Sequence, residues 1–156
     1  SSGRILRLPA NGDALQEWST AQELAGADGL AFLDRDLFIN SFTSGLLFRI
    51  TLNADGSAGA PVPIAASRPL VQPDGMRRLN ATQLVQASQG TGTIDLLTIK
   101  GDAVEIETLR SGLVGPAAVT IDGDTVWALE SKLSLRGNAE VEPAPFKAYA
   151  VPLPTN

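Results

Sequence analysis

Two aspartates stand out because the residues around them repeat. Ala27-Asp28-Gly29-Leu30-Ala31-Phe32-Leu33-Asp34 lines up with Pro73-Asp74-Gly75-Met76-Arg77-Arg78-Leu79-Asn80, and Asp28 and Asp74 stand 46 residues apart. Two carboxylates brought together repel each other unless a proton or a cation separates them. Calcium suits such a pair, being hard, oxygen-seeking and tolerant of irregular ligand sets completed by water. A bound cation can polarise a carbonyl and stabilise the oxyanion formed when water attacks it. A carboxylate can serve as the general base. Hydrolysis of a lactone or an ester is the reaction class that follows, with Asp28 and Asp74 as metal ligands and Asp74 as the catalytic residue. Asp-Gly is also an ordinary turn dipeptide whose side chain caps its own backbone. The shared register and the Pro-Asp-Gly-Met context bring the functional reading nearly level with that one.

Composition narrows the alternatives. The chain has 156 residues, 44% hydrophobic and 19% charged, which is the make-up of one globular domain. It contains no histidine and no cysteine. A Ser-His-Asp triad, an imidazole base, a thiol nucleophile and zinc sites built on either residue are thereby excluded within it. The net charge of -5 argues against nucleic acid as a partner, since a duplex needs a basic footprint. No apolar run approaches the ~20 residues of a membrane-spanning helix, so no membrane partner is expected. A small-molecule substrate or ligand remains.

The elements that must position these residues read as strands. Leu46, Phe48, Ile50 and Leu52 share one face and Arg49 and Thr51 the other. Residues 93–99, 104–109 and 147–153 read similarly, and shorter apolar runs lie at 30–33, 37–41, 84–87, 118–121 and 126–129. Turn residues separate them, as in Asn53-Ala54-Asp55-Gly56 and Asp122-Gly123-Asp124. Helix signals are weak, so an all-β fold is expected. Four prolines between Pro61 and Pro73 read as a long connection at a sheet edge.

A third, looser copy of the repeat begins at Gly115-Pro116-Ala117-Ala118-Val119, which puts Pro116 in line with Asp28 and Asp74, 42 residues after the second. That pitch suits β-propeller blades of four antiparallel strands, about three to three and a half of them. The expected division is 1–26 as the end of a preceding blade, then blades at 27–72, 73–114 and 115–156. A β-sandwich would explain the strands but not the repeat. Three and a half blades do not close a ring, so the remaining half of a propeller or a second copy of the chain is needed.

At the repeats the sequence resembles the gluconolactonase and senescence-marker-protein group of six-bladed β-propellers. The likeness is carried by ADGLAF at 27–32, LFINS at 37–41, LLFRITLNADG at 46–56 and PDGM at 73–76. GPAAVTIDGDTVWALES at 115–131 and FKAYAVPLP at 146–154 are similar to the last blade of secreted bacterial members. The resemblance covers nearly the whole chain and corresponds to the C-terminal half. It implies a divalent cation, usually calcium, on the central axis. Asp74 matches the Asp of the family's Pro-Asp-Gly-Met, and Asp28 stands where the family has Asn. A third ligand, a Glu from the first blade, lies in a region this chain does not contain. Leu79 fills a place where the family usually carries Asp, and Arg77 and Arg78 follow the Met. A periplasmic or secreted location is implied by the resemblance alone.

In a propeller the second strand of each blade runs back toward the same mouth. Asn40, Gln86, Ser88 and Glu130, at those strand ends, are therefore expected on its rim. Trp127 and Phe38 read as blade packing. The departures at Asp28 and Leu79 support an alternative function, a non-catalytic propeller that binds a small molecule or a protein.

Overall fold

The computed structural model describes residues 2–132 and 146–154. They form thirteen strands, and no helix among them is long and apolar enough to cross a membrane. β1 (Ser2–Arg7) and β2 (Gln16–Ala25) pair antiparallel. β3 (Ala27–Leu33), β4 (Asp36–Ser41), β5 (Leu47–Thr51) and β6 (Val62–Ala66) follow as a meander. β7 (Pro73–Arg78), β8 (Gln83–Ser88), β9 (Thr93–Lys100) and β10 (Ala103–Arg110) repeat it. β11 (Pro116–Asp122), β12 (Thr125–Glu130) and β13 (Lys147–Pro152) make a three-stranded unit.

The region expected to be a connection, Pro61 to Pro73, contains β6. Its Val62, Pro63 and Ile64 pair with Arg49, Phe48 and Leu47. A proline is tolerated there because β6 is short and peripheral, where a missing N–H costs little. On its other side β6 meets β10 in parallel over two pairs, Ala65 with Ala103 and Ala66 with Val104. This joins the two meanders at their outer strands into one eight-stranded sheet.

Three cores alternate with the four strand groups. Phe38, Leu47 and Ile64 pack against Met76, Leu84 and Leu97 between the two four-stranded units. Val85, Ile94 and Leu96 pack against Val119, Val126 and Val151 on the far side of the second unit. Leu37, Ile39, Phe48 and Ile50 pack under Ile5 and Leu24 of the leading pair. Period-two geometry explains the division: Leu37 and Ile39 leave β4 on one face and Phe38 on the other. Both faces are buried, so the run reads as continuously apolar, not alternating. Each fully buried side chain of this size contributes roughly 1.5–3 kcal/mol. A sandwich of two sheets has one core; this stack of sheets with a core in every gap is a propeller arrangement.

The inner strands β3, β7 and β11 each carry a one-residue bulge near their start. Ala27 pairs with Ser41, Pro73 with Ser88 and Pro116 with Glu130. Pro116 thus matches Pro73, and Ala117 occupies the position of the two aspartates. The third repeat is shifted by one residue from the sequence alignment, because the bulge is set by hydrogen bonding that side-chain types do not report.

Candidate functional site: the axial carboxylate pair

Asp28 and Asp74 are the second residues of β3 and β7, the inner strands of neighbouring units. The bulges place both in the same local geometry. Close approach of the two strands requires glycine. A Cβ on Gly29 would lie 2.4 Å from the Asp74 carbonyl oxygen, and one on Gly75 would lie 2.7 Å from the carbonyl oxygen of Ala117. Each Asp-Gly pair therefore does two jobs: the glycine admits the next strand, and the aspartate beside it is carried to the seam.

The structure brings the two carboxyls together. The Asp74 carboxyl is pushed up from 3.8 to about 6, first by burial, then by the charge of Asp28 and by a hydrogen bond with it. The backbone N–H of Gly75 opposes this by donating to Asp74 Oδ1 at 2.8 Å. Gln89, in the β8–β9 loop, reaches Asp74 Oδ2 with its Nε2 at 3.4 Å. Gln89 has no sequence signature and was not expected; only its place beyond the second strand of the blade connects it to the mouth. Arg77 turns its guanidinium to the Met76 carbonyl and Arg78 to that of Asn80, at 2.8 and 3.1 Å.

The four residues expected on the rim lie beneath it. Asn40 and Gln86 are 0% exposed, Ser88 1% and Glu130 4%. Asn40 Oδ1 accepts the Gly29 N–H at 2.7 Å, and its Nδ2 donates to the Asp74 carbonyl at 2.7 Å and to Gln86 Oε1 at 2.8 Å. Gln86 donates to Ser88 Oγ at 3.2 Å, and Ser88 donates to Asp95 Oδ2 at 2.7 Å. Glu130 belongs to another seam, where its Oε2 accepts the Val114 N–H at 3.0 Å and Lys132 stands 3.9 Å from Oε1. The strand ends turn inward because the bulged inner strands leave main-chain groups that buried side chains must satisfy.

Asp95 is a second carboxylate that sequence reading passed over within an apolar run. It is fully buried and accepts from Arg68, Ser88, Thr93 and Thr108 at 2.7 to 3.0 Å. All four donors point at one group, so it is a tied structural anchor.

A hard divalent cation fits the chemistry of the axial pair: two converging carboxylates, one of them held protonated more readily than usual by burial and by the other. Calcium takes six to eight oxygens. The pair supplies two carboxylates, and no group of three acidic or other metal-binding side chains occurs among the described residues.

The fold is that of known β-propellers. Regucalcin from Agrobacterium tumefaciens, a calcium-binding protein, matches at TM-score 0.71 and 15% identity, over 97% of this chain and 53% of its own. A gluconolactonase from Xanthomonas campestris matches at TM-score 0.62 and 20% identity, over 80% and 40%. Virginiamycin B lyase from Staphylococcus aureus matches at TM-score 0.60 and 21% identity, over 81% and 41%. These matches bear out the β-propeller fold that the sequence resemblance implied. The chain spans about half the length of these structures. No family model and no curated protein sequence matches it.

Proposed function

We propose that the chain forms part of a metal-dependent hydrolase-like propeller that cleaves a lactone or an ester. The observation that supports this reading is the convergence of Asp28 and Asp74 at one seam, with the Asp74 carboxyl raised to about 6. Asp28 and Asp74 would hold calcium or a similar divalent cation. Its remaining oxygens would have to come from water or from outside the described residues. The cation, when bound, supplies Lewis-acid polarisation of the substrate carbonyl.

The rest is the work of this chain's own groups. With a value of about 6 in the cation-free chain, Asp74 is ionised at neutral pH, and as a carboxylate it can accept a proton from water. The water oxygen bonds to the acyl carbon, the acyl–oxygen bond breaks, and the proton passes from Asp74 to the leaving alkoxide. Gly75 N–H holds one carboxyl oxygen, which fixes the direction of the other. Gln89 orients that second oxygen.

The axis also needs the rest of the ring. Leu30 and Phe32 at one end and Trp127 and Leu129 at the other are more than 40% exposed, on faces that in a closed ring would meet further blades. The remaining propeller half, or a second copy, is the proposed partner. The resemblance supports a periplasmic or secreted location. A non-catalytic binding module for a small molecule or a protein is the second reading. It is favoured by the lack of a third acidic group at the pair among the described residues. Turnover of simple lactones in the presence of calcium decides between them. Asp74→Asn should abolish hydrolysis, and unchanged turnover in that variant rejects the catalytic role.

A further inference from the structure

We propose that Asn40, working through Gln86, is the latch that sets the separation of Asp28 and Asp74, a positioning residue for the axial pair. The inference rests on the reading of that pair as a cation site. Asn40 stands on β4 of one unit and Gln86 on β8 of the next, and both are fully buried. A single carboxamide grips the main chain beside both carboxylates. Its Oδ1 holds the N–H of Gly29, the chain neighbour of Asp28, at 2.7 Å. Its Nδ2 holds the carbonyl of Asp74 itself at 2.7 Å and Gln86 Oε1 at 2.8 Å. Through Gln86 and Ser88 the latch is tied to Asp95 in the second unit.

Two features set the separation. Glycine at 29 lets the strands meet, since a Cβ there would lie 2.4 Å from the Asp74 carbonyl oxygen and wedge them apart. The three hydrogen bonds of Asn40 prevent them from parting. Repulsion between the ionised carboxylates pushes in the parting direction, and the latch resists it. A pair held at fixed separation needs little reorganisation when a cation enters, whereas a pair free to spread must be drawn back together at a cost in affinity. A buried amide costs more than an apolar side chain of the same size unless each polar atom is satisfied. Here Oδ1 is anchored to Gly29 within its own unit and Nδ2 crosses the seam to Asp74 and Gln86 of the next, which is what a latch requires.

The test is calcium titration calorimetry on the full chain at pH 7.5. Asn40→Leu keeps the branching at Cγ and removes the latch's polar atoms, and Gly29→Ala wedges the same seam. Each should weaken calcium binding at least tenfold. Glu130→Gln, a buried polar change in the other seam, should lower the melting temperature and leave the affinity within twofold. An affinity within twofold of the unaltered protein in folded Asn40→Leu overturns the latch. If that variant does not fold, Asn40→Ser carries the test, since serine is too short to bridge Gly29 and Asp74. If the unaltered protein takes up no calcium, the cation reading fails and the latch is judged by crystallography. Asn40→Leu must then show Gly29 and Asp74 drawn apart and the carboxylates of Asp28 and Asp74 farther from each other than in the unaltered protein. An unchanged seam overturns the proposal.

Discussion

Asp74→Asn should stabilise the cation-free protein at neutral pH. Asp74 binds its proton more tightly folded, with a value of about 6, than the ordinary 3.8. Between those two values the folded state holds more protons than the unfolded one, so stability falls as pH rises through that window and is flat above it. The full shift corresponds to about 3 kcal/mol. Asp74 is only half-buried, and screening by solvent reduces the penalty to about 1–1.5 kcal/mol. Asparagine removes the charge and keeps an Oδ1 acceptor for Gly75 N–H, while Gln89 can turn its carboxamide to match. For a chain of this size the gain is about 3–5 °C in melting temperature. Thermal denaturation with EDTA at pH 7.5 should show that gain, and at pH 4 the two proteins should melt together. Saturating calcium at pH 7.5 should reverse the order, because only the aspartate gains a ligand's stabilisation. A variant that melts at or below the unaltered protein at pH 7.5 without calcium refutes the reasoning, as does an equal difference at both pH values.

Calcium should raise the melting temperature more at pH 7.5 than at pH 5, because below about 6 a proton occupies Asp74 and competes with the cation; equal shifts at both pH values count against the pair as the site. Asp95→Ala leaves Arg68 and three hydroxyls facing a buried gap and should cost about 3 kcal/mol, read as a lower midpoint in urea denaturation. Gly75→Ala places a methyl 2.7 Å from the Ala117 carbonyl oxygen and 3.0 Å from the Ala118 Cα, both main-chain atoms that must shift. It should cost about 1–3 kcal/mol, and a melting temperature unchanged from the parent protein would show the inner seam to be looser than described.

Strands were legible wherever one face is polar or both are apolar, because period-two burial writes itself into residue type. The pair Asp28 and Asp74 was legible too, since a bulge that needs glycine recurs with its neighbour. The shift at Pro116 was not: Ala117 carries no charge, and the bulge that places it is a property of the ladder. Nor was β6 legible, because Pro63 argues against a strand and only its peripheral place tolerates one. Asn40 and Gln86 were picked out for the wrong surface. Their position at the ends of second strands was read correctly, but a polar residue at a strand end is buried or exposed according to what the neighbouring unit leaves unsatisfied. That demand comes from a strand more than thirty residues away.

The contrast between Asp74 and Asp95 carries the functional argument one step further. Both are aspartates in blade seams. Asp95 is met by one guanidinium and three hydroxyls, so its negative charge is matched where it stands. Asp74 is met by one main-chain N–H, a long contact from Gln89 and a second carboxyl. The same fold that satisfies one acid fully leaves the other facing a like charge, while Asn40 holds the two main chains so that they do not separate. Structure alone gains nothing from that tension, because a leucine at Asp74 would relieve it. Perturbed acids in such settings mark sites where a ligand supplies what the protein withholds. Here the missing quantity is positive charge on a hard centre, which a proton supplies below about pH 6 and which, under the proposed function, a divalent cation would supply above it.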